Sequence, residues 1–364
     1  MTYPKKVLLV SCAAGSGHLK AAEALFLTLQ HKNPEITVEH IDLIQYTGPF
    51  TRLFIAESYD WLIKNCPKIY GYIYLLSNNP IFLKLLKLIS PLLRLDGKKF
   101  SEKIINFNPD LIVSTYFLPP FFLPKNYKTP LDVVMTDYQY HYAWLSPGIR
   151  NIFVTHADIK EAIQDKTKAN IIVSGLPLRP DFFINKNIEE IKQKIGINNN
   201  QHTILIMPCN SGKIRVEELI KKIINNTDNK LNVLAIAGKN NRKLYRKIKE
   251  LPAGKNNLIT FDFYEKTDEL MRISDLIITK AGGLTISECL HLKKPMILVN
   301  SIPGQEEHNI KFLEKNNYGL KLNSLENLNE YIDSILNKKI SLEIQPLMSN
   351  PNDIILQNSL QILN

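Results

Sequence analysis

The chain has 364 residues, 45% of them hydrophobic and 22% charged, a balance that buries real cores and excludes disorder or a fibre as the main state. That length predicts two domains, and no stretch reaches the roughly 18 to 20 uninterrupted apolar residues of an integral helical membrane protein. The 45 basic residues exceed the 35 acidic ones by 10, which points to an anionic partner: nucleic acid, a membrane surface or a phosphorylated ligand.

At the start, Lys5-Lys6 followed by Val7 to Cys12 has the outline of a short lipoprotein signal. The apolar run is briefer than the ~7 residues an export segment needs, so it reads as the first strand of a cytoplasmic domain. Ala13-Ala14-Gly15-Ser16-Gly17-His18 follows, and Leu19, Ala22, Phe26 and Leu29 then mark one face of a helix. In such a strand, glycine turn and helix, free N–H groups at the helix start favour anions or developing negative charge. The positive end of the helix would lower the pKa of His18 and keep its imidazole neutral, ready to act as a base; the alternative is a histidine that caps its own turn. Gly15-x-Gly17 is half of a dinucleotide fingerprint, but Lys20 stands where the third glycine belongs.

After a strand at 36–41, residues 64–103 hold eight basic and two acidic residues, more than half of the excess charge. The same window is rich in leucine, isoleucine and tyrosine. On a helix, Lys84, Lys87 and Arg94 share a sector of about 80°, the rest being apolar, and Pro91 is expected to break or kink it. Two readings remain open at this point: an interfacial helix with leucines in the lipid boundary and lysines at anionic headgroups, or a helical hairpin whose leucines face the core. No nucleic-acid-binding motif accompanies the charge, so nucleic acid is not the expected partner.

Strand-like runs at 110–115, 131–136, 151–155 and 171–174 complete the first half, and others at 203–208, 231–237, 258–262, 275–279 and 295–300 make up the second. Alternating with amphipathic segments, they predict an α/β protein with two parallel, Rossmann-like sheets. The polar stretches around 185–200 set the boundary, giving an N-terminal domain over 1–186, a C-terminal domain over 187–340, and a tail over 341–364 that ends in a helix. Cys12, Cys66, Cys209 and Cys289 form no metal or disulfide pattern, which fits a reducing compartment.

In the second half, a strand runs into Lys280-Ala281-Gly282-Gly283-Leu284-Thr285-Ile286-Ser287-Glu288. Gly282 and Gly283 open a helix whose N-terminus suits a pyrophosphate, with Thr285 donating from the first turn and Glu288 placed to accept ribose hydroxyls. The next strand delivers Ile302 to Asn309 to the same sheet edge, where Gln305 and Glu306 are candidates for reading sugar hydroxyls and Asn309 is a further donor-binding candidate. Arg179, in Gly175-Leu176-Pro177-Leu178-Arg179-Pro180, is a candidate diphosphate ligand. Asp137, with His141 and Trp144, points to the same cleft. No Asp-x-Asp stands anywhere to hold a divalent ion against a nucleotide diphosphate, so neither metal nor cofactor is expected.

These segments, in the order VLLVSCAAGSGHLKAAEAL, TDYQYHYAW, VSGLPLRPDF, ILIM, AIAGKNNRKL and then FYEKTDELMRISDLIITKAGGLTISECL through KKPMILVNSIPGQEEHN, cover about residues 7 to 320. They resemble the glycolipid-forming GT-B glycosyltransferases, the monogalactosyldiacylglycerol synthases and processive diacylglycerol β-glucosyltransferases. The resemblance implies two Rossmann-like domains facing each other across a cleft, a UDP-hexose in the C-terminal one, diacylglycerol at the N-terminal one, and inversion at the anomeric carbon with His18, or else Asp137, as base. It implies an acceptor loop at Gly15 and Gly17. It also turns the basic leucine-rich window into a docking surface for the inner face of the membrane, with Lys84, Lys87, Arg94, Lys98 and Lys99. Two departures stand out: Pro208-Cys209-Asn210-Ser211-Gly212-Lys213 replaces the family's glycine-rich loop, and Ser146 stands where relatives often carry histidine. The rival readings are N-acetylglucosaminyl transfer to a polyprenyl-linked peptidoglycan precursor, a nucleotide-sugar 2-epimerase, and a sugar-nucleotide sensor without catalysis.

Overall fold

The structure is a computed structural model that describes residues 4–13, 15–124, 127–208, 214–226 and 230–363. Its first sheet is built from β1 (Lys6–Ser11), β2 (Thr37–Asp42), β3 (Leu111–Ser114), β4 (Leu131–Val134), β5 (Asn151–Val154) and β6 (Asn170–Val173). They run parallel in the order β2-β1-β3-β4-β5-β6. Strands β3, β4 and β5 are buried along their whole length, which is why they read as mostly apolar runs, broken by Asp132 in β4, rather than as an alternation.

The second sheet holds β7 (His202–Ile206), β8 (Leu231–Ile236), β9 (Asn257–Phe261), β10 (Leu276–Thr279), β11 (Met296–Leu298) and β12 (Gly319–Lys321). Its order, β12-β11-β10-β7-β8-β9, is that of a dinucleotide-binding Rossmann sheet, with the reversal between β7 and β10. The three-residue β12 is the one strand among those described that the sequence pattern does not announce.

The helices that matter below are α1 (Ser16–Lys32), α2 (Ser58–Asn65), α3 (Pro67–Ser77), α4 (Pro80–Asp96), α5 (Lys98–Phe107), α6 (Gly283–His291), α7 (Gln305–Lys315) and α8 (Pro351–Leu360). A π-helical turn, Arg52–Glu57, precedes α2.

The chain divides into two compact units. The first comprises 1–180, 303–305 and 347–364, and the second 181–302 and 306–346. The terminal helix is thus part of the first unit rather than a free tail. Ile355 and Leu356 join Val7, Leu9, Leu25 and Leu29 in one core cluster. Polar ties add to this: Lys32 pairs with Asp353 at 2.6 Å, and the Asn352 amide donates to Thr28 Oγ1 and to the Leu178 carbonyl, both at 2.7 Å.

Helix α4 corrects one expectation. It runs without interruption through Pro91. A proline there withholds the N–H that the carbonyl four residues earlier, at Lys87, should receive; the Ser90 hydroxyl donates to that carbonyl instead, at 2.8 Å. The helix is apolar on two faces. Leu86 and Leu93 are buried in the core of the first unit, whereas Ile81, Leu85, Leu88, Leu92 and Leu95 are exposed and fall within a sector of about 80° at 100° per residue.

Candidate active site

In the first sheet the strand order reverses between β1 and β3, the place where ligands bind in open α/β folds. The turn after β1 puts His18 in the first turn of α1, and the turn after β3 puts Thr115 beside it. Gly15 makes this turn with φ of +87°, a conformation that suits glycine, and a side chain there would meet the Tyr59 hydroxyl at 3.7 Å. No side chain caps the helix.

The His18 Nδ1 lies 2.8 Å from the Thr115 carbonyl and 2.9 Å from Thr136 Oγ1. A carbonyl only accepts, so Nδ1 carries the proton and Nε2 holds the lone pair. Burial pulls the imidazole pKa down from 6.5 to about 4, and the Thr115 hydrogen bond opposes it. The ring is therefore neutral as expected, but burial is the larger cause. Tyr116 packs edge-on at 4.8 Å and Trp144 lies at 6.3 Å.

His141 has the opposite tautomer. Its Nδ1 accepts from the Ala143 N–H and its Nε2 lies 3.1 Å from Ser77 Oγ, so the ring links α3 to the turn at 142–144. Its pKa is also lowered to about 4, mainly by burial. Protonating Nδ1 would break the Ala143 bond, which marks His141 as structural.

His18 and Asp137 both line a cavity of about 290 Å³ in the first unit, with walls that include Ile55, Leu62, Tyr70, Ile73 and Phe117. Tyr74 and Tyr116 also line it, and burial raises both phenols well above their ordinary pKa, so they stay protonated. Asp137 is buried, and its Oδ1 accepts from the Gln305 amide at 2.7 Å. Gln305, expected to read the donor sugar, is held by a carboxylate of the first unit, and Gly71 gives that segment room: a Cβ there would meet Pro303 at 2.8 Å.

In the second unit, Gly282 stands at the N-cap of α6 with no side-chain cap, which leaves the opening amides for an anion. Thr285 is half-buried in the first turn, and Glu288 is buried one turn on. Glu306 is committed to the protein: one oxygen accepts from Lys280 Nζ at 2.9 Å and the other from the Ile302 N–H at 2.8 Å. Buried Asn309 donates to the Ala281 carbonyl at 2.9 Å. These two side chains brace the glycine turn from α7. Thr136, next to Asp137 in the segment that sequence reasoning aimed at the cleft, joins the site, whereas Lys280, Thr115 and the wall tyrosines are residues that it missed; a lysine two residues before Gly-Gly was the one available signal. Arg179 follows β6 as a half-buried residue of the first unit. The loop at 209–213 and Ala14 lie outside the described residues. Among those described, no group of three or more His, Cys, Asp or Glu stands together to hold a metal ion.

Of the predicted docking cations, Lys84, Lys87, Lys98 and Lys99 are exposed. Arg94 turns inward and donates from Nε to the Leu123 carbonyl at 2.8 Å.

Two parallel Rossmann-like sheets, each with a glycine turn at the carboxyl edge, make up the GT-B fold. Residues 18–178 match the family model of monogalactosyldiacylglycerol (MGDG) synthase, and residues 210–354 match the glycosyltransferase family 28 C-terminal domain. The chain resembles the processive diacylglycerol β-glucosyltransferase of Bacillus subtilis, to which it is 27% identical over 382 aligned positions, covering 100% of this chain and 94% of that one. Its fold is shared with Acinetobacter baumannii MurG (TM-score 0.54, 13% identity, 99% and 98% of the two chains) and with spinosyn rhamnosyltransferase SpnG (TM-score 0.58, 12% identity, 97% and 99%).

Proposed function

We propose that the protein moves a hexose from UDP-glucose or UDP-galactose to diacylglycerol, with inversion, to form a β-glycosyldiacylglycerol at a membrane surface. The observation that carries this reading is the neutral His18, its Nδ1 fixed and its Nε2 basic, in the wall of an apolar cavity. Nε2 takes the proton of the glycerol hydroxyl. The oxygen attacks C1 of the sugar as the bond from C1 to the UDP oxygen breaks, and the electron pair leaves on UDP. A base with a pKa of about 4 is weak, so it accepts the proton late, once the new C–O bond has made the hydroxyl acidic. The uncapped start of α6, with Lys280 beside it, supports a diphosphate and its growing charge; Glu288 is assigned to the ribose. Asp137 is the alternative base, and with no Asp-x-Asp the reaction is read as independent of metal.

The exposed apolar surface supports the membrane. Of eighteen exposed large apolar residues among those described, thirteen lie between Phe50 and Leu95, where solitary exposed leucines would need no explanation but a contiguous set does. No described helix is long and apolar enough to cross a bilayer. The rival acceptor, a polyprenyl diphosphate, would bring its charge to a cavity with Asp137 and, among the described residues, no lysine or arginine in its wall, at a cost of several kcal/mol per buried ion.

The test is UDP release and lipid labelling with radiolabelled UDP-glucose and UDP-galactose, side by side, on diacylglycerol in anionic mixed micelles without added metal. One labelled glycolipid from one donor is expected. No transfer from either, with UDP still bound, overturns the reading.

A further inference from the structure

The cavity that His18 lines is larger than one hydroxyl requires and far smaller than a whole diacyl lipid. At about 290 Å³ it holds on the order of ten to twenty water-sized groups, at about 15–30 Å³ each. That accommodates a glycerol backbone, its ester groups and a few methylenes, but not two long acyl chains.

Helix α4 shows where the remainder would go. Phe82 and Leu86 line the cavity from one face, while Ile81, Leu85, Leu88 and Leu92 stand exposed on the other. On α3, Ile73 does both: it lines the cavity and is 48% exposed, so it joins the interior to the outer apolar face. The wall is largely aromatic and aliphatic, its carboxylate is Asp137, and among the described residues it holds no lysine or arginine to neutralise a phosphate.

We propose that this cavity seats the glyceryl ester region of an uncharged diacyl lipid, together with the first methylenes of its chains, while the rest of each chain lies along the exposed stripe of α4. The inference rests on diacylglycerol being the acceptor, and it adds how the lipid is divided between protein and bilayer and why the headgroup must be uncharged. Ile73 marks the mouth. A phosphatidic acid of the same chains is excluded by its charge, since an unpaired anion beside Asp137 is disfavoured.

Two photoreactive diacylglycerols test this on the full chain in anionic mixed micelles: one with a diazirine at the third acyl carbon, the other with it near the chain end. The first is expected to label Leu62, Tyr70, Ile73 or Phe117, and the second Leu85, Leu88 or Leu92. Glycolipid formation with the near-ester probe absent from the cavity wall, or with the two patterns exchanged, overturns the inference alone. Failure of every diacylglycerol to accept sugar overturns the functional reading and this inference with it. In parallel, Leu62→Trp should raise KM for dioctanoylglycerol at least tenfold while leaving KM for the nucleotide sugar and the thermal midpoint near wild type; an unchanged lipid KM counts against the seat.

Discussion

At His18 a single carbonyl decides the chemistry. Because Thr115 fixes the Nδ1 proton, the other nitrogen carries the lone pair at any pH where the ring is neutral. His18→Ala is expected to lower kcat by about 100-fold to 10,000-fold, the usual worth of a positioned base, with KM for the nucleotide sugar within twofold; equal losses in both would remove His18 from the proton transfer. With the conjugate acid near pKa 4, the acid limb of the rate profile should fall near pH 4 rather than 6.5. A limb at 6.5 in wild type that persists in the alanine variant would assign it elsewhere. Thr115→Ala is not a useful probe, since the bond comes from its backbone.

Helix α4 is where sequence reasoning reached its limit. Its leucines could be assigned to a core or to a membrane but not to both, because a helical wheel shows which residues share a face and not which faces are covered. Leu86 and Leu88, two residues apart, end up on opposite sides. The strands were legible for the contrary reason: fully buried parallel strands favour short, mostly apolar runs bounded by turn residues, as at 111–114 and 151–154. The three-residue β12 carries too little pattern to register, and the bracing roles of Glu306 and Asn309 depend on contacts across the sheet edge that spacing does not encode. Lys84 and Lys87, exposed beside the leucine stripe, should each add about 1 kcal/mol to binding an anionic surface. Replacing both with glutamine is expected to weaken binding to anionic vesicles roughly thirtyfold without moving the thermal midpoint. Leu88→Glu with Leu92→Glu should abolish it, also in neutral vesicles, which separates the apolar term from the charge.

For the whole molecule, His18 and His141 both have folded pKa values of about 4 against 6.5 when exposed. Between those limits the unfolded chain binds more protons, so stability rises with pH through this window, is complete above about 6.5 and is lost as pH falls towards 4. A thermal midpoint that drops steadily from pH 7 to 4.5, with a shallower slope in His141→Gln, is the expected calorimetric result; an unchanged slope would show that the ring titrates freely. Removing residues 347–364 should destabilise the first unit, since Ile355 and Leu356 alone account for about 3–6 kcal/mol of buried side chain, and a midpoint unchanged by the truncation would contradict their place in the core.

The return of α8 to the first unit also bears on biosynthesis. Topologically, the second unit is an insertion in the first, so a nascent chain that has already exposed Val7, Leu9, Leu25 and Leu29 must wait for more than 300 further residues before Ile355 and Leu356 cover them. Closure over so long a separation is slow, and apolar surface left open during translation invites association with other chains or with chaperones. The half-made protein is thus its most vulnerable form.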